Sequence, residues 1–233
     1  MIFGTKTNSM QYLQVPHKSN LNLAFTGMDC VEHCVNQKHF VEYQKPISYE
    51  YNSLGFRDRE WPQDTKNAIW CVGDSFTTGL GQPWEETWPS LLENTIQQRC
   101  FNIGEDGCSN DLMALRTKEI FTKHQPKLVI IMWSYLWRRY IKRRNVRFNI
   151  DKKEMIQDDF DNLVKNISKV SKFSSQIIQL AVPNCGLSNV AEHLSDVAEI
   201  KQLDESRDGH HFDVNTSISV VNMIESHEKF KVL

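Results

Sequence analysis

The sequence predicts an α/β domain, a three-layer α/β/α arrangement with a doubly wound, mostly parallel five-stranded sheet. Three observations carry that expectation. Short apolar runs of strand length alternate with longer segments of helical spacing, the connections between them are short, and the runs end in clusters of Gly, Asp, Ser or Asn.

Residues 1–66 are read as an N-terminal extension packed on the domain, and 67–233 as the domain itself. The first 45 residues are polar and weakly periodic, whereas 46–62 (PISYEYNSLGFRDREWP) are aromatic and turn-rich. Ala68 to Val72 is a buried-strand run closed by Gly73-Asp74-Ser75. Trp84 to Gln98 carries Trp88, Leu91, Leu92 and Ile96 at helical spacing. Cys100 to Ile103 is the second strand, ended by Gly104 and Gly107, and Ser109 or Asn110 can cap a helix reaching about residue 124. Lys127 to Trp133 is apolar on both faces, as a central parallel strand requires. Asp159 to Phe173 has an amphipathic pattern, and Gln176 to Val182 is a fourth strand. A short helix over 189–197 and a fifth strand over Val197–Leu203 follow, and Asn215 can cap a last helix running to about Phe230.

At 233 residues, 40% hydrophobic and 24% charged, the chain has an ordinary globular balance. It is long enough to bury roughly 70% of its unfolded surface. A net charge of −2 supplies no global pull toward nucleic acid or anionic lipid. Six cysteines without a paired framework point to a reducing compartment, and the start of the chain lacks the basic and apolar regions of a signal peptide. The longest apolar run is far short of a membrane span. The expectation is a cytoplasmic protein with no membrane contact. Cys30, His33, Cys34 and His39 have too few ligands at metal spacing, and the cluster Asp204, Asp208, His210, His211, Asp213 is read for other chemistry, so no metal and no cofactor are expected.

In a doubly wound sheet the site lies off the carboxyl ends of the strands, and the polar clusters fall there. Gly73-Asp74-Ser75 places a hydroxyl at the end of the first strand, where a base would turn it into a nucleophile. As a bare tripeptide it is equally a capped turn. No Gly-x-Ser-x-Gly elbow, phosphate loop or Gly-x-Gly-x-x-Gly occurs. Ser206-Arg207-Asp208-Gly209-His210-His211 sets Asp and His three apart on a loop, so that the carboxylate can hold Nδ1–H and leave Nε2 for the serine, although a polar turn before a helix also fits.

Taken in order, these segments resemble the SGNH (GDSL-like) hydrolases over roughly residues 50–230. Gly73-Asp74-Ser75 resembles block I, Asn102-Ile103-Gly104-Glu105-Asp106-Gly107 block II, and Asp208-Gly209-His210-His211 the Asp-x-x-His of block V; Asn52 to Asp58 resembles a segment that often precedes block I. The resemblance implies a flavodoxin-like SGNH fold, a triad of Ser75, His211 and Asp208, and an oxyanion held by the backbone N–H groups of Ser75 and Gly107. Block III departs. The family's Gly-x-Asn-Asp is replaced by Met132-Trp133-Ser134-Tyr135-Leu136-Trp137-Arg138, and losing one oxyanion donor costs roughly 10²–10³ in rate. Ser134, Tyr135 and Asn110 are candidate replacements, and Asp74, Asn110, Ser134, Tyr135 and Arg138 are candidate substrate-binding residues.

Two functions follow from the resemblance. One is a serine esterase acting on a small-molecule or glycan ester, such as an O-acetyl sugar. The other is a weak or inactive relative that binds a glycan or a protein through the same cleft. The basic run Arg138, Arg139, Lys142, Arg143, Arg144, Arg147 is expected to be a solvated loop or helix face, and nucleic acid is not an expected partner. Trp84, Trp88, Trp133, Tyr135 and Trp137 are expected to be core or lid packing more than a sugar platform.

Overall fold

The computed structural model describes residues 11–34, 43, 45–141, 144–147, 153–184 and 197–231. Five parallel strands form the central sheet, in the order β4-β3-β5-β8-β9. They are β3 (Ile69–Val72), β4 (Cys100–Asn102), β5 (Leu128–Trp133), β8 (Ile177–Ala181) and β9 (Val197–Glu199). The sheet is thus wholly parallel among the described residues. β3, β4, β5 and β8 are buried at every position, which is why their sequences are continuously apolar instead of alternating.

The chain passes from β3 to β4 on one side and then to β5 on the other side of β3. This reversal opens a crevice beyond the carboxyl end of β3. Helix α2 (Ser75–Thr78) leaves β3, α3 (Trp88–Ile96) leads to β4, α4 (Asn110–Lys123) connects β4 to β5, and α5 (Lys153–Ser171) precedes β8. The C-terminal helices are α6 (Val214–Ser226) and α7 (Glu228–Lys231). In the N-terminal part lie the pair β1 (Asn22–Leu23) and β2 (Tyr49–Glu50) and the single turn α1 (Val31–Cys34). Leu13, Val15 and Phe56 belong to the same buried cluster as the sheet residues Trp70, Ile130 and Ile178.

Several expected elements are redrawn. The helix over Trp84–Gln98 divides into a 3₁₀ turn, Trp84–Glu86, and α3, separated by Thr87 in an extended conformation. Pro89 is the cause: it has no N–H and clashes with a carbonyl four residues back, so it is tolerated only in the first turn of a helix. α5 starts at Lys153 instead of Asp159. The last helix is capped by Asp213, not Asn215, because the Asp213 carboxylate accepts from Thr216 N (2.8 Å) and Asn215 N (3.1 Å). It stops at Ser226. The fifth strand is only three residues long, and most of the short helix expected over 189–197 lies outside the described residues.

The basic run is neither loop nor helix. It forms an antiparallel hairpin of β6 (Arg138–Ile141) and β7 (Arg144–Arg147). Nor is it a solvated face throughout, since Arg138 is 5% exposed. Trp88 and Trp133 are core residues, with no exposed surface. Among the described residues no helix is long and apolar enough to cross a membrane, and no cluster of ligating side chains could hold a metal. Cys30, Cys71, Cys100 and Cys108 are free thiols, and burial pushes the Cys108 thiol up to about 12.

Candidate active site

Ser75 is the first residue of α2, at the carboxyl end of β3 and 2% exposed. Asp74 caps that helix by accepting from Phe76 N at 3.1 Å. Helix α2 ends in Gly79, at φ +76. Its carbonyls at Thr78 and Gly79 accept from Arg57 Nη1, while Arg57 Nη2 reaches the carbonyls of Ser48 and Gln82. Arg57 is buried, so one guanidinium satisfies backbone oxygens that water cannot reach. This explains the segment 52–58 as support for the serine turn.

The turn after β4 meets the serine turn at backbone distance. Asn102 Nδ2 donates to Thr77 O (2.9 Å), and its Oδ1 accepts from Gly104 N (3.0 Å). A Cβ added at Gly104 would lie 2.4 Å from Thr78 N and 2.9 Å from Asp74 O. Gly107 is different: it sits at φ +74, with nothing within 4 Å of an added Cβ. Gly104→Ala is therefore expected to cost more than Gly107→Ala. The first must push two backbones apart, at about 3 kcal/mol, while the second bears only the left-handed penalty of ~1–2 kcal/mol. Thermal melts of both variants check the order, and equal losses would refute it.

Asp208 and His211 lie on the loop before α6. Both are nearly inaccessible to solvent, and His211 Nδ1 lies 2.6 Å from Asp208 Oδ2. The other carboxylate oxygen, Oδ1, accepts from Ser206 Oγ (2.9 Å), His210 N (3.1 Å) and His211 N (3.0 Å). Burial alone would raise the Asp208 carboxyl. The charge and hydrogen bonds of His211, with the Ser206 hydroxyl, outweigh it and hold the group well below the usual carboxylate range. A pKa depressed in the folded state contributes stability above the ordinary carboxylate pKa and loses it as pH falls through the folded value. The Tm gap between wild type and Asp208→Asn should thus be widest near neutrality and narrow below about pH 4; a gap independent of pH would contradict this.

The loop docks beside the serine. The Phe76 ring packs against His211 (centroids 4.7 Å), Phe212 (4.7 Å) and His210 (5.6 Å), and Ser206 Oγ donates to Leu80 O at 3.3 Å. Burial and the neighbouring His211 keep His210 below the usual imidazole range. The structure joins Asp208 to His211 directly. It brings His211 next to Ser75 through Phe76, without a hydrogen bond between serine and imidazole.

Beyond β5, the residues in place of block III form a buried network. Asp74 Oδ2 accepts from Ser134 Oγ and Arg138 Nη1, each at 2.5 Å, and Arg138 Nη1 also lies 2.6 Å from Ser134 Oγ. Asn110 donates its amide to Ser134 O (3.1 Å) and Tyr135 O (3.4 Å), and accepts from Ser134 N (2.8 Å). Asn110 and Ser134 therefore hold the loop. The Tyr135 and Trp137 rings are half-buried and stacked, with centroids 4.6 Å apart, and Tyr135 also faces Phe76 at 6.4 Å. The role of Asn102, Arg57 and Ser206 in this site was not read from the sequence. Each lies in a segment the sequence singles out, Arg57 in 52–58, Asn102 at the head of 102–107 and Ser206 at the head of 206–211, but nothing in those segments announces the contact it makes.

No protein-family model and no curated protein matches the chain. Several solved structures are similar to it. A lipolytic G-D-S-L family protein from Veillonella parvula is 16% identical over 66% of this chain and 94% of its own, with a TM-score of 0.43. A family two carbohydrate esterase from Clostridium thermocellum, solved with cellohexaose, is 14% identical over 74% of this chain and 66% of its own (TM-score 0.48). The psychrotrophic esterase EstA from Pseudoalteromonas sp. is 15% identical over 72% of this chain and 100% of its own (TM-score 0.43). The structural neighbours of this chain are thus lipolytic G-D-S-L proteins and carbohydrate esterases.

Proposed function

We propose that the chain is a serine esterase of the SGNH kind, with Ser75 as nucleophile, His211 as general base and Asp208 as its orienting carboxylate. The observation that carries this reading is the buried Asp208–His211 hydrogen bond on a loop packed against the first turn of the Ser75 helix. With Nδ1–H held by the carboxylate, Nε2 is the free, basic nitrogen. His211 takes the Ser75 proton as Oγ attacks the ester carbonyl. The backbone N–H groups of Ser75 and Gly107 stabilise the oxyanion. His211 then protonates the leaving alcohol, and water, activated by the same imidazole, releases the acid from the acyl-enzyme.

For the substrate we favour a small acyl group on a glycan. The stacked Tyr135–Trp137 pair offers aromatic faces beside Phe76. The alternative, binding without turnover, is favoured by one feature: two of the three candidate donors, Asn110 and Ser134, are committed to the loop after β5 and to Asp74. Hydrolysis of p-nitrophenyl acetate and butyrate by wild type and Ser75→Ala distinguishes the two. Turnover lost in the variant supports the esterase. Equal background rates, joined by saturable binding of acetylated oligosaccharide to both proteins, would establish the alternative.

A further inference from the structure

The segment from Ala24 to Asp29 belongs to the part of the chain whose sequence suggested no function, and it touches both loops of the candidate site. Asp29 is fully buried. Its carboxylate receives Arg207 Nε on Oδ1 at 2.9 Å and Arg207 Nη2 on Oδ2, and the Tyr49 hydroxyl also donates to Oδ2. Arg207 is the residue immediately before Asp208. Its Nη2 further donates to Ala24 O (2.9 Å), and its guanidinium lies 4.6 Å from the Phe25 ring centroid.

The same cluster reaches the chain that leaves the serine helix. Tyr49 Oη accepts from Gly81 N (2.8 Å), and Arg207 N donates to Gly81 O (3.2 Å). At its other side the segment meets the turn that carries Gly107, since a Cβ on Gly27 would lie 2.5 Å from Asp106 Oδ2. One stretch of six residues thus bridges the Asp208–His211 loop and the Gly107 turn.

A buried ion pair is a weak source of stability, because the desolvation of both ions offsets most of their attraction. What a two-point guanidinium–carboxylate contact supplies is orientation. We propose that Asp29 is a positioning residue: through Arg207 it fixes the Ser206–His211 loop so that Asp208 keeps the His211 imidazole in its Nδ1–H form. Without that carboxylate Arg207 loses its two-point contact, and the loop that carries Asp208 is no longer held at a fixed angle to the imidazole. The kinetic arm of the test rests on the esterase reading; the spectroscopic arm does not.

The experiment is to read the His211 tautomer from imidazole ¹⁵N shifts, with thermal melts, in wild type, Asp29→Asn and Asp29→Asn/Arg207→Met. The wild type is expected to show the Nδ1–H tautomer. Asp29→Asn should shift toward a mixture, and the double variant, which lacks both halves of the contact, should shift as far. On p-nitrophenyl acetate, kcat of Asp29→Asn should fall about 10²-fold, the loss expected from a misplacement near 1 Å, with KM unchanged. Should Asp29→Asn fail to fold, Tyr49→Phe, which removes one of the donors to Asp29, should shift the tautomer in the same direction. Wild-type ¹⁵N shifts in a folded variant lacking the Asp29 carboxylate or the Tyr49 hydroxyl would overturn the proposal. A shifted tautomer with no turnover even in the wild type would keep it and dismiss the esterase.

Discussion

Asp208→Asn is expected to lower kcat on p-nitrophenyl acetate about 10⁴-fold while leaving the loop folded. The reason lies in how the two carboxylate oxygens are used. Oδ1 accepts from three donors, Ser206 Oγ, His210 N and His211 N, whereas Oδ2 faces only the imidazole. An asparagine must keep its oxygen toward the three donors, because an amide NH₂ there would confront them. Its NH₂ then faces His211 Nδ1 and donates to it. The imidazole is driven into the Nε2–H tautomer, which cannot accept the Ser75 proton. Ser75→Ala and His211→Ala should each be as severe, and the double variant no worse than either, since the two act as one unit. Measurement of kcat for the four proteins tests this; an Asp208→Asn enzyme within tenfold of wild type would remove Asp208 from the mechanism.

The second large effect is on stability. Arg138→Met is expected to destabilise the fold by about 3–5 kcal/mol, the usual cost of stranding one member of a buried ion pair. Asp74 has no exposed surface, and Arg138 is its only cationic partner among the described contacts. Only the neutral donors Ser134 Oγ and Phe76 N, among the described contacts, would then face the orphaned carboxylate. Because that carboxylate also caps the Ser75 helix, activity should fall with stability. Asp74→Asn/Arg138→Met removes both charges and should recover most of the loss, as buried pairs replaced together often prove neutral. Urea unfolding of wild type, Asp74→Asn, Arg138→Met and the double variant decides it. Additive losses in the double variant would mean that the two residues act independently.

This pair also explains why the basic run misleads in sequence. Arg138 looks like the first of a series of surface charges, yet it is turned inward, 64 residues along the chain from its partner Asp74. Arg139, the next in the run, pairs with Asp159 at 2.9 Å. Tyr140 and Ile141 among the charges read, in sequence, as a helix presenting basic residues outward or a solvated loop, whereas 138–141 is a strand.

The sheet, the order of its strands along the chain and the strand ends where Ser75, Gly107, Asp208 and His211 stand are legible in the amino-acid sequence. Those features are local: strand runs buried on both faces are apolar throughout, and turns at their ends need glycine, caps and polar residues within a few positions. Asp208 and His211, three residues apart on one loop, could be paired for the same reason. What only the tertiary structure decided are contacts of long sequence separation. Asp74 with Arg138, Asn102 with Thr77, and Asp29 with Arg207, 178 residues apart, have no periodicity or spacing to announce them. Each becomes favourable only after the sheet has assembled and removed water from the groups concerned, because a charge or amide buried without a partner is costly and one with a partner is directional. The N-terminal segment joins the site for that same reason, although its own sequence is polar and weakly periodic.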